Sequence, residues 1–130
     1  MIVLDTHIWI WWVDDNQQRL TARQRELIQQ YQPQRLGVSI ISCWEVAKAV
    51  ESQKLNLSCG VDEWLNAALL YPGVQLLDLR VSIVVESTKL VGFHRDPGDQ
   101  IIVATAKVNE CPLLTADQKI LAYPNVQTLT

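Results

Sequence analysis

The sequence lacks the features of a membrane or secreted protein. It has no apolar run near the roughly 18 residues that a transmembrane helix requires. The N-terminus has no basic region and reaches an acid, Asp5, after three apolar residues, so we expect no signal peptide. There are 3 cysteines, none in a CxxC pair, and an odd number argues against a disulfide framework. These absences predict a protein of the reducing cytoplasm that does not contact a membrane.

The sequence also lacks an excess of basic residues. It has 11 Lys and Arg against 14 Asp and Glu, which gives a net charge of −3. Proteins that bind nucleic-acid backbones usually carry a basic patch, whereas the arginines here form only a loose group at Arg19, Arg23, Arg25 and Arg35. A nucleic-acid substrate would therefore require metal ions together with a local positive strip, or basic surface supplied by a partner.

Short apolar segments alternate with longer amphipathic segments, and no linker or repeat interrupts them. The 130 residues are sufficient for one domain, residues 1–130. The strand candidates are Ile2–Leu4, Leu36–Ile41, Val74–Leu77, Pro112–Leu114 and Val126–Leu129. The helix candidates lie near Thr21–Gln30, Cys43–Ser52, Val61–Leu70, Val81–Val91, Asp99–Asn109 and Gln118–Ala122. The alternation predicts an α/β fold with a parallel sheet covered by helices on both faces. The first crossover is long enough for two helices, one of them short and rich in tryptophan.

Four acidic residues lie just after strand candidates or in the first turn of the helix that follows: Asp5, Glu45, Asp99 and Asp117. In an open parallel sheet such positions gather at one edge, beside the carboxyl ends of the strands. Neighbouring carboxylates repel by roughly 4 kcal/mol per pair at about 4 Å and an effective dielectric near 20. Because such a cluster requires protons or a cation, we interpret the four acids as a divalent-metal site.

Two of these acids also have a local structural explanation as helix caps. Asp5 could cap a helix that starts near His7, since Asp is a favoured N-cap. Glu45 follows Ser42 at capping-box spacing, and taken alone it fits a cap better than a metal ligand.

The other two acids are open to the same alternative. Asp96 followed by proline predicts an N-cap, which would place Asp99 at the third helical position as a capping-box partner. Thr115 and Gln118 are spaced as a capping box, which would leave Asp117 between them free to face the cleft. The recurrence of acids at four equivalent junctions favours a shared site.

The tryptophan-rich segment near the N-terminus favours core packing over base stacking. Ile8, Trp11 and Trp12 share one helical face, which we expect to be buried. Trp9 points elsewhere and could belong to a protein interface, where tryptophan is enriched.

Four segments that contain the acids resemble, in order and spacing, the motifs of the PIN-domain family of metal-dependent ribonucleases. They are Leu4–Trp11 (LDTHIWIW), Val38–Ala47 (VSIISCWEVA), His94–Ala106 (HRDPGDQIIVATA) and Pro112–Asp117 (PLLTAD). Within that family the chain looks most similar to the toxin half of bacterial VapBC toxin–antitoxin pairs. Two positions depart from the family pattern: Gly98 stands where relatives commonly carry a bulky apolar residue, and Gln100 where they commonly carry arginine.

The resemblance implies a PIN-like three-layer α/β/α sandwich whose central sheet of four to five strands is mostly parallel. It implies an acidic catalytic group with Mg²⁺ or Mn²⁺ as cofactor. The catalytic residues would be Asp5, Glu45, Asp99 and Asp117. Of these, Asp5 and Asp99 would hold the metal, with Thr6 and Thr115 as supporting residues. It also implies an RNA substrate and a VapB-like antitoxin that blocks the site. We further expect a homodimer, and no sequence-specific DNA binding by this chain itself.

Two rival functions are compatible with part of the pattern. A PIN-like binding module without activity would agree with the departures at Gly98 and Gln100. An aspartate-nucleophile phosphohydrolase would also place an aspartate, here Asp5, after the first strand. Such enzymes normally carry a second aspartate two residues later, however, and that position is His7 in this sequence.

Overall fold

The computed structural model describes residues 1–14 and 18–130, and its centre is a parallel sheet of five strands. The strands are β1 (Ile2–Leu4), β2 (Leu36–Ser39), β3 (Val74–Leu77), β4 (Leu113–Leu114) and β5 (Thr128–Leu129). Their order across the sheet is β3-β2-β1-β4-β5, and every neighbouring pair is parallel. The predicted mostly parallel sheet is therefore confirmed, with five strands.

The helices lie in the connections between the strands, as the alternating pattern predicted. The first crossover holds α1 (Thr6–Val13) and α2 (Ala22–Tyr31), so the expected short tryptophan-rich helix is present. The later connections hold α3 (Ile40–Glu51), α4 (Val61–Leu69), α5 (Val81–Ser87), α6 (Pro97–Val108) and α7 (Gln118–Leu121). Among the described residues, no helix has the length and apolar character needed to cross a bilayer.

Two apolar cores, one on each face of the sheet, make the domain a three-layer sandwich. Along β1, Ile2 and Leu4 face one core whereas Val3 faces the other. The first core includes residues of α1 to α4, and the second includes residues of α6 and α7. Because parallel strands are buried on both faces, they appear in the sequence as continuous apolar runs.

The tryptophans of α1 are distributed differently from the sequence-based prediction. Trp9 is fully buried and packs edge-on against Trp64 of α4, so its assignment to a protein interface was wrong. Trp64 therefore covers the part of α1 that carries Trp9. Ile8 is buried as predicted, but Trp11 and Trp12 are only partly buried at the edge of the core.

The sheet has its topological switch point between β1 and β4. From β1 the chain moves outward to β2 and β3 in one direction, and later returns to β4 and β5 on the other side. In such sheets a crevice opens beyond the carboxyl ends of the two central strands. The residues that follow β1 and β4 therefore line that crevice.

Candidate active site

Asp5 lies at the switch point, directly after β1, and is buried with 5% exposure. Its Oδ1 accepts a hydrogen bond from the Thr6 backbone N–H at 2.8 Å, which makes Asp5 the N-cap of α1. Its Oδ2 accepts from the Thr115 hydroxyl, 2.7 Å away, at the end of β4. Burial raises the pKa of Asp5 despite these two hydrogen bonds. Asp5 is thus both the N-cap of α1 and a member of the acidic site.

Glu45 reaches the same crevice from α3, which follows β2. Its Oε1 accepts from the Thr6 hydroxyl at 2.6 Å, and the Thr6 oxygen lies 2.8 Å from the Ser42 hydroxyl. Since the single Thr6 hydroxyl proton goes to Glu45, Ser42 must donate to Thr6. Burial raises the pKa of Glu45, and the negative charges of Asp5 and Asp96 raise it further.

The capping box predicted for Ser42 and Glu45 is wrong. Helix α3 begins at Ile40 and its N-cap is Ser39, whose side chain accepts from the Ile41 N–H. Ser42 therefore lies within the helix, fully buried, where its hydroxyl supports Thr6.

Asp99 lies in the first turn of α6, held there by the cap that the sequence predicted. Asp96 is the N-cap, its Oδ1 accepts from the N–H groups of Gly98 at 2.9 Å and Asp99 at 3.4 Å, and Pro97 is the first helical residue. Burial, followed by the charges of four other acids, together raise the pKa of Asp99 to about 7; the four acids are Asp5, Asp96, Asp117 and Glu45. This carboxylate therefore experiences the negative potential of the whole crevice.

A histidine in the loop before α6 borders Asp99. His94 Nε2 lies 3.0 Å from Asp99 Oδ2, although the ring N–H is not aligned for a hydrogen bond. Gln100 donates from Nε2 to the His94 carbonyl at 3.1 Å. Gln100, which stands where the family pattern has arginine, therefore stabilises the loop that carries His94.

Asp117 has a different local role from the one predicted. Its Oδ1 accepts from the N–H groups of Lys119 at 2.8 Å and Ile120 at 3.1 Å, so Asp117 itself caps α7. Thr115 is not that cap, because its hydroxyl accepts from the Asp117 N–H and donates to Asp5. Asp117 nevertheless borders the site, since its charge raises the pKa of both Asp5 and Asp99.

The structure therefore brings the four predicted acids to one edge of the sheet and adds a fifth, Asp96. Carboxylate oxygens of Glu45, Asp96 and Asp99 all lie within 4.8 Å of one another, whereas Asp5, which was predicted to hold the metal with Asp99, is not in this group. From the sequence, Asp96 is predicted only as a helix cap, because capping alone explains an aspartate followed by proline at the start of a helix. Its place in the acidic cluster was therefore not predicted. Among the ion pairs that the described residues form, only the contact with His94 involves a member of this cluster.

The donor set fits a hard divalent cation. Every candidate ligand is a carboxylate oxygen, which is the type that Mg²⁺ and Mn²⁺ prefer. Several of these groups have raised pKa values because their negative charges are close together and partly buried. A bound dication would relieve that repulsion, whereas a soft metal would require sulfur or imidazole ligands.

Gly98 determines how closely Glu45 approaches the start of α6. A methyl group at this position would lie 2.6 Å from Oε2 of Glu45 and 3.3 Å from Oδ1 of Asp96. Both distances are shorter than an ordinary contact, so the observed position of the Glu45 carboxylate requires a glycine here. The departure from the family pattern at residue 98 is thus coupled to the conformation of a site residue.

Comparison with known proteins relates both sequence and fold to one family. The PIN domain family model matches residues 2–126. Ribonuclease VapC22 of Mycobacterium tuberculosis is 28% identical over 130 residues, which cover 99% of this chain and 96% of the relative.

Solved structures with the same fold include the two that follow. VapBC2 from Rickettsia felis, bound to a DNA fragment from their promoter, superposes with a TM-score of 0.74 at 17% identity, covering 99% of this chain and 98% of that one. FitAcB from Neisseria gonorrhoeae superposes with a TM-score of 0.69 at 19% identity, covering 100% and 97%. At these identities the structural likeness establishes the fold.

Proposed function

The chain belongs to the PIN-domain family, and from this premise we propose that it is a metal-dependent endoribonuclease, the toxin of a type II toxin–antitoxin pair. The observation that carries the proposal is the convergence of acids on Asp99, whose pKa is raised by burial and by four neighbouring carboxylates. The 28% identity to a ribonuclease over nearly the whole chain supports the same reaction class.

Asp5 and Asp99 are the residues proposed to hold Mg²⁺ or Mn²⁺, directly or through water. When bound, such an ion polarises the scissile phosphate, lowers the pKa of a coordinated water and stabilises the leaving oxygen. Thr6 and Thr115 fix the carboxylates of Glu45 and Asp5 through hydrogen bonds of 2.6 and 2.7 Å. This support matters because displacements of about 1 Å can reduce catalysis on the order of a hundredfold.

Glu45 is proposed to orient and deprotonate the attacking water. Its raised pKa makes it a stronger base than an ordinary glutamate, and only one of its oxygens, Oε1, accepts the bond from Thr6. Asp117 contributes negative charge at the rim of the site, with Oδ1 occupied by its cap.

The experiment that tests this function is a metal titration of RNA cleavage. Labelled single-stranded and hairpin RNAs should be cut in Mn²⁺ or Mg²⁺ and left intact after EDTA treatment, with activity restored by excess metal. If the protein binds metal and RNA but cuts neither substrate, it is a binding module instead.

An aspartate-nucleophile phosphohydrolase is disfavoured by the surroundings of Asp5. Both carboxylate oxygens accept hydrogen bonds, and the side chain is almost fully buried. His7, at the position where such enzymes carry their general acid, is exposed. The same titration separates the two enzymes, because an aspartyl-phosphate mechanism predicts a covalent phosphoenzyme and no RNA cleavage.

Gly98→Ala should lower the turnover number for RNA cleavage by roughly 10- to 100-fold. The added methyl group displaces the Glu45 carboxylate, and misplaced catalytic groups lose rate on this scale. Because Glu45 and Asp96 lie in the same cluster of carboxylates as Asp99, turnover should be measured at saturating Mn²⁺, with the Mn²⁺ affinity determined separately by calorimetry. An unchanged turnover number would show that the position of Glu45 does not matter to the reaction.

An antitoxin partner is proposed to inhibit the enzyme by covering the acidic site. The structural relatives include VapBC and FitAcB complexes, and a Lys or Arg from a partner would neutralise the carboxylates here. The product of a neighbouring antitoxin gene should therefore bind stably and suppress cleavage. A complex in which no basic side chain approaches Asp5 or Asp99 would contradict this mode of inhibition.

We also propose a homodimer formed through the edge strand β3 and helix α5. Apolar side chains are exposed on both elements, with Val81 79% exposed and Leu76 and Val85 about half as much. An open edge strand beside exposed apolar groups favours association. Light scattering should give twice the chain mass, and the double variant Val81→Lys/Val85→Lys should give a monomer; a monomeric native protein would refute the dimer.

The three free cysteines are compatible with the cytoplasmic location proposed for such a toxin.

A further inference from the structure

A groove runs away from the acidic site between helices α1 and α3. Its volume is about 990 Å³. Thr6, Glu45 and Asp96 line the acidic end, whereas Arg19, Lys48 and Lys54 line the rest of it. The groove is therefore continuous with the site, and beyond the acidic end its described lining residues include three basic side chains against one acid, Asp14.

The basic residues follow α3 away from the acids. Lys48 lies about one helical turn beyond Glu45. Lys54 follows the end of α3, where its backbone N–H donates to the Ala49 carbonyl at 2.8 Å. Lys48 pairs with Glu51 at 2.6 Å, but the two side chains are 55% and 71% exposed. Exposed pairs of this kind are weak because water screens the two charges, so Lys48 can exchange Glu51 for a phosphate.

Two tryptophans line the same groove. Trp44, next to Glu45 in the chain, is 56% exposed, which is unusual for so large an apolar side chain. Trp11 is half-buried, and the Arg19 guanidinium lies 5.8 Å from the centre of its ring. Asp14 also lines the groove, but its Oδ1 accepts a hydrogen bond from Trp64 Nε1 at 3.0 Å. Aromatic faces with interleaved cations are the combination that binds single-stranded nucleic acid.

We propose that this groove binds single-stranded RNA beside the bond to be cut, with a base stacked on Trp44 and backbone phosphates on Lys48, Lys54 and Arg19. This inference rests on the proposed ribonuclease function and deepens it by naming the substrate-binding residues. It also resolves an obstacle in the sequence, because a chain with a net charge of −3 needs a local positive strip to hold RNA. A basic peptide would be attracted to the acidic end of the groove but repelled by the basic residues along the rest of it. RNA would be attracted along the basic part, and it would need a metal ion only where the scissile phosphate meets the acids.

RNA affinity measured without cleavage tests the proposal. The protein carries Asp5→Asn to prevent cutting, and the probe is a fluorescein-labelled oligouridylate followed by anisotropy over a range of salt concentrations. The test variants are Trp44→Ala, Trp44→Phe and the double variant Lys48→Ala/Lys54→Ala. Lys89→Ala is the matched control, because Lys89 is exposed beyond α5 and does not line the groove.

Loss of the stacking platform in Trp44→Ala should weaken binding about tenfold, since stacking contributes roughly 1–3 kcal/mol per base. Trp44→Phe should remain close to the parent, because an aromatic face is kept. Lys48→Ala/Lys54→Ala should weaken binding and reduce the slope of log affinity against log salt by about 1.4, which corresponds to two phosphate contacts on a single strand. Lys89→Ala should leave the affinity unchanged.

Equal affinities and equal salt slopes in all variants would overturn the groove assignment. If metal-dependent cleavage by the native protein is intact in that case, the proposed function stands and only the binding path is wrong. If the same substitutions weaken the antitoxin complex and leave RNA affinity unchanged, the groove belongs to the protein partner and the proposal is also overturned.

Discussion

Asp5→Asn should reduce metal-dependent RNA cleavage about 1000-fold while leaving the fold intact. A metal that polarises the phosphate contributes several kcal/mol to transition-state stabilisation, and each 1.4 kcal/mol corresponds to a factor of ten in rate. Asparagine has nearly the same shape, and its oxygen can still accept from the Thr6 N–H that Asp5 caps. The hydroxyl of Thr115 can rotate to accept from the new amide instead of donating. The change therefore removes a charge without opening a cavity.

Asp78→Asn provides the matched control for that experiment. Asp78 also directly follows a strand, β3, but it is exposed at the edge of the sheet. Its substitution should leave initial cleavage rates within about twofold of the native protein, with both variants melting cooperatively by circular dichroism. If Asp5→Asn cleaves RNA as fast as the native protein, Asp5 is not a functional residue of the site.

Asp99→Asn should raise the stability of the metal-free protein and reduce the stabilisation that Mn²⁺ provides. In the folded protein the pKa of Asp99 is raised from 3.8 to about 7, so between these values the folded state binds more protons than the unfolded state. The free energy of unfolding of the metal-free protein therefore falls as pH rises from about 4 to about 7. Removing the charge should stabilise the metal-free protein at pH 7.5 by roughly 1–2 kcal/mol, allowing for solvent screening of this partly buried group.

Urea unfolding from pH 5 to pH 8 measures both effects. The native protein without metal should lose stability with rising pH, and Asp99→Asn should lose less over the same range. Mn²⁺ should stabilise the native protein strongly at pH 7.5 and the variant little, and its affinity for the native protein should fall as acid protonates the ligands. A variant that is less stable than the native protein without metal, with an unaltered pH profile, would refute the account of charge repulsion.

The sequence was sufficient to predict the parallel sheet and the edge where the acids gather. Strand ends fix the position of Asp5, because a buried parallel strand leaves little freedom for the residue that follows it. Helix caps were less predictable: Ser39 and Ser42 are both good N-cap residues, and which one caps α3 depends on where β2 ends. The error of three residues at that cap hid the contact between Ser42 and Thr6.

Other parts of the site depend on tertiary packing that local patterns do not contain. The approach of His94 to Asp99 depends on a loop conformation held by Gln100. The groove exists because α1 and α3 pack side by side, bringing Arg19 and Lys48 to one surface although they are far apart in the sequence. The burial of Trp9 likewise depends on α4, which follows it by about fifty residues.

Anomalous X-ray scattering from Mn²⁺-soaked crystals would locate the metal ion itself. We expect an Mn²⁺ peak at the carboxyl ends of β1 and β4, within reach of the carboxylates of Asp5 and Asp99, directly or through water. The peak should disappear in Asp99→Asn crystals and remain in Asp78→Asn crystals. If the protein cleaves RNA while its Mn²⁺ binds elsewhere and this edge of the sheet is free of metal, the four acids are not the metal site of a ribonuclease.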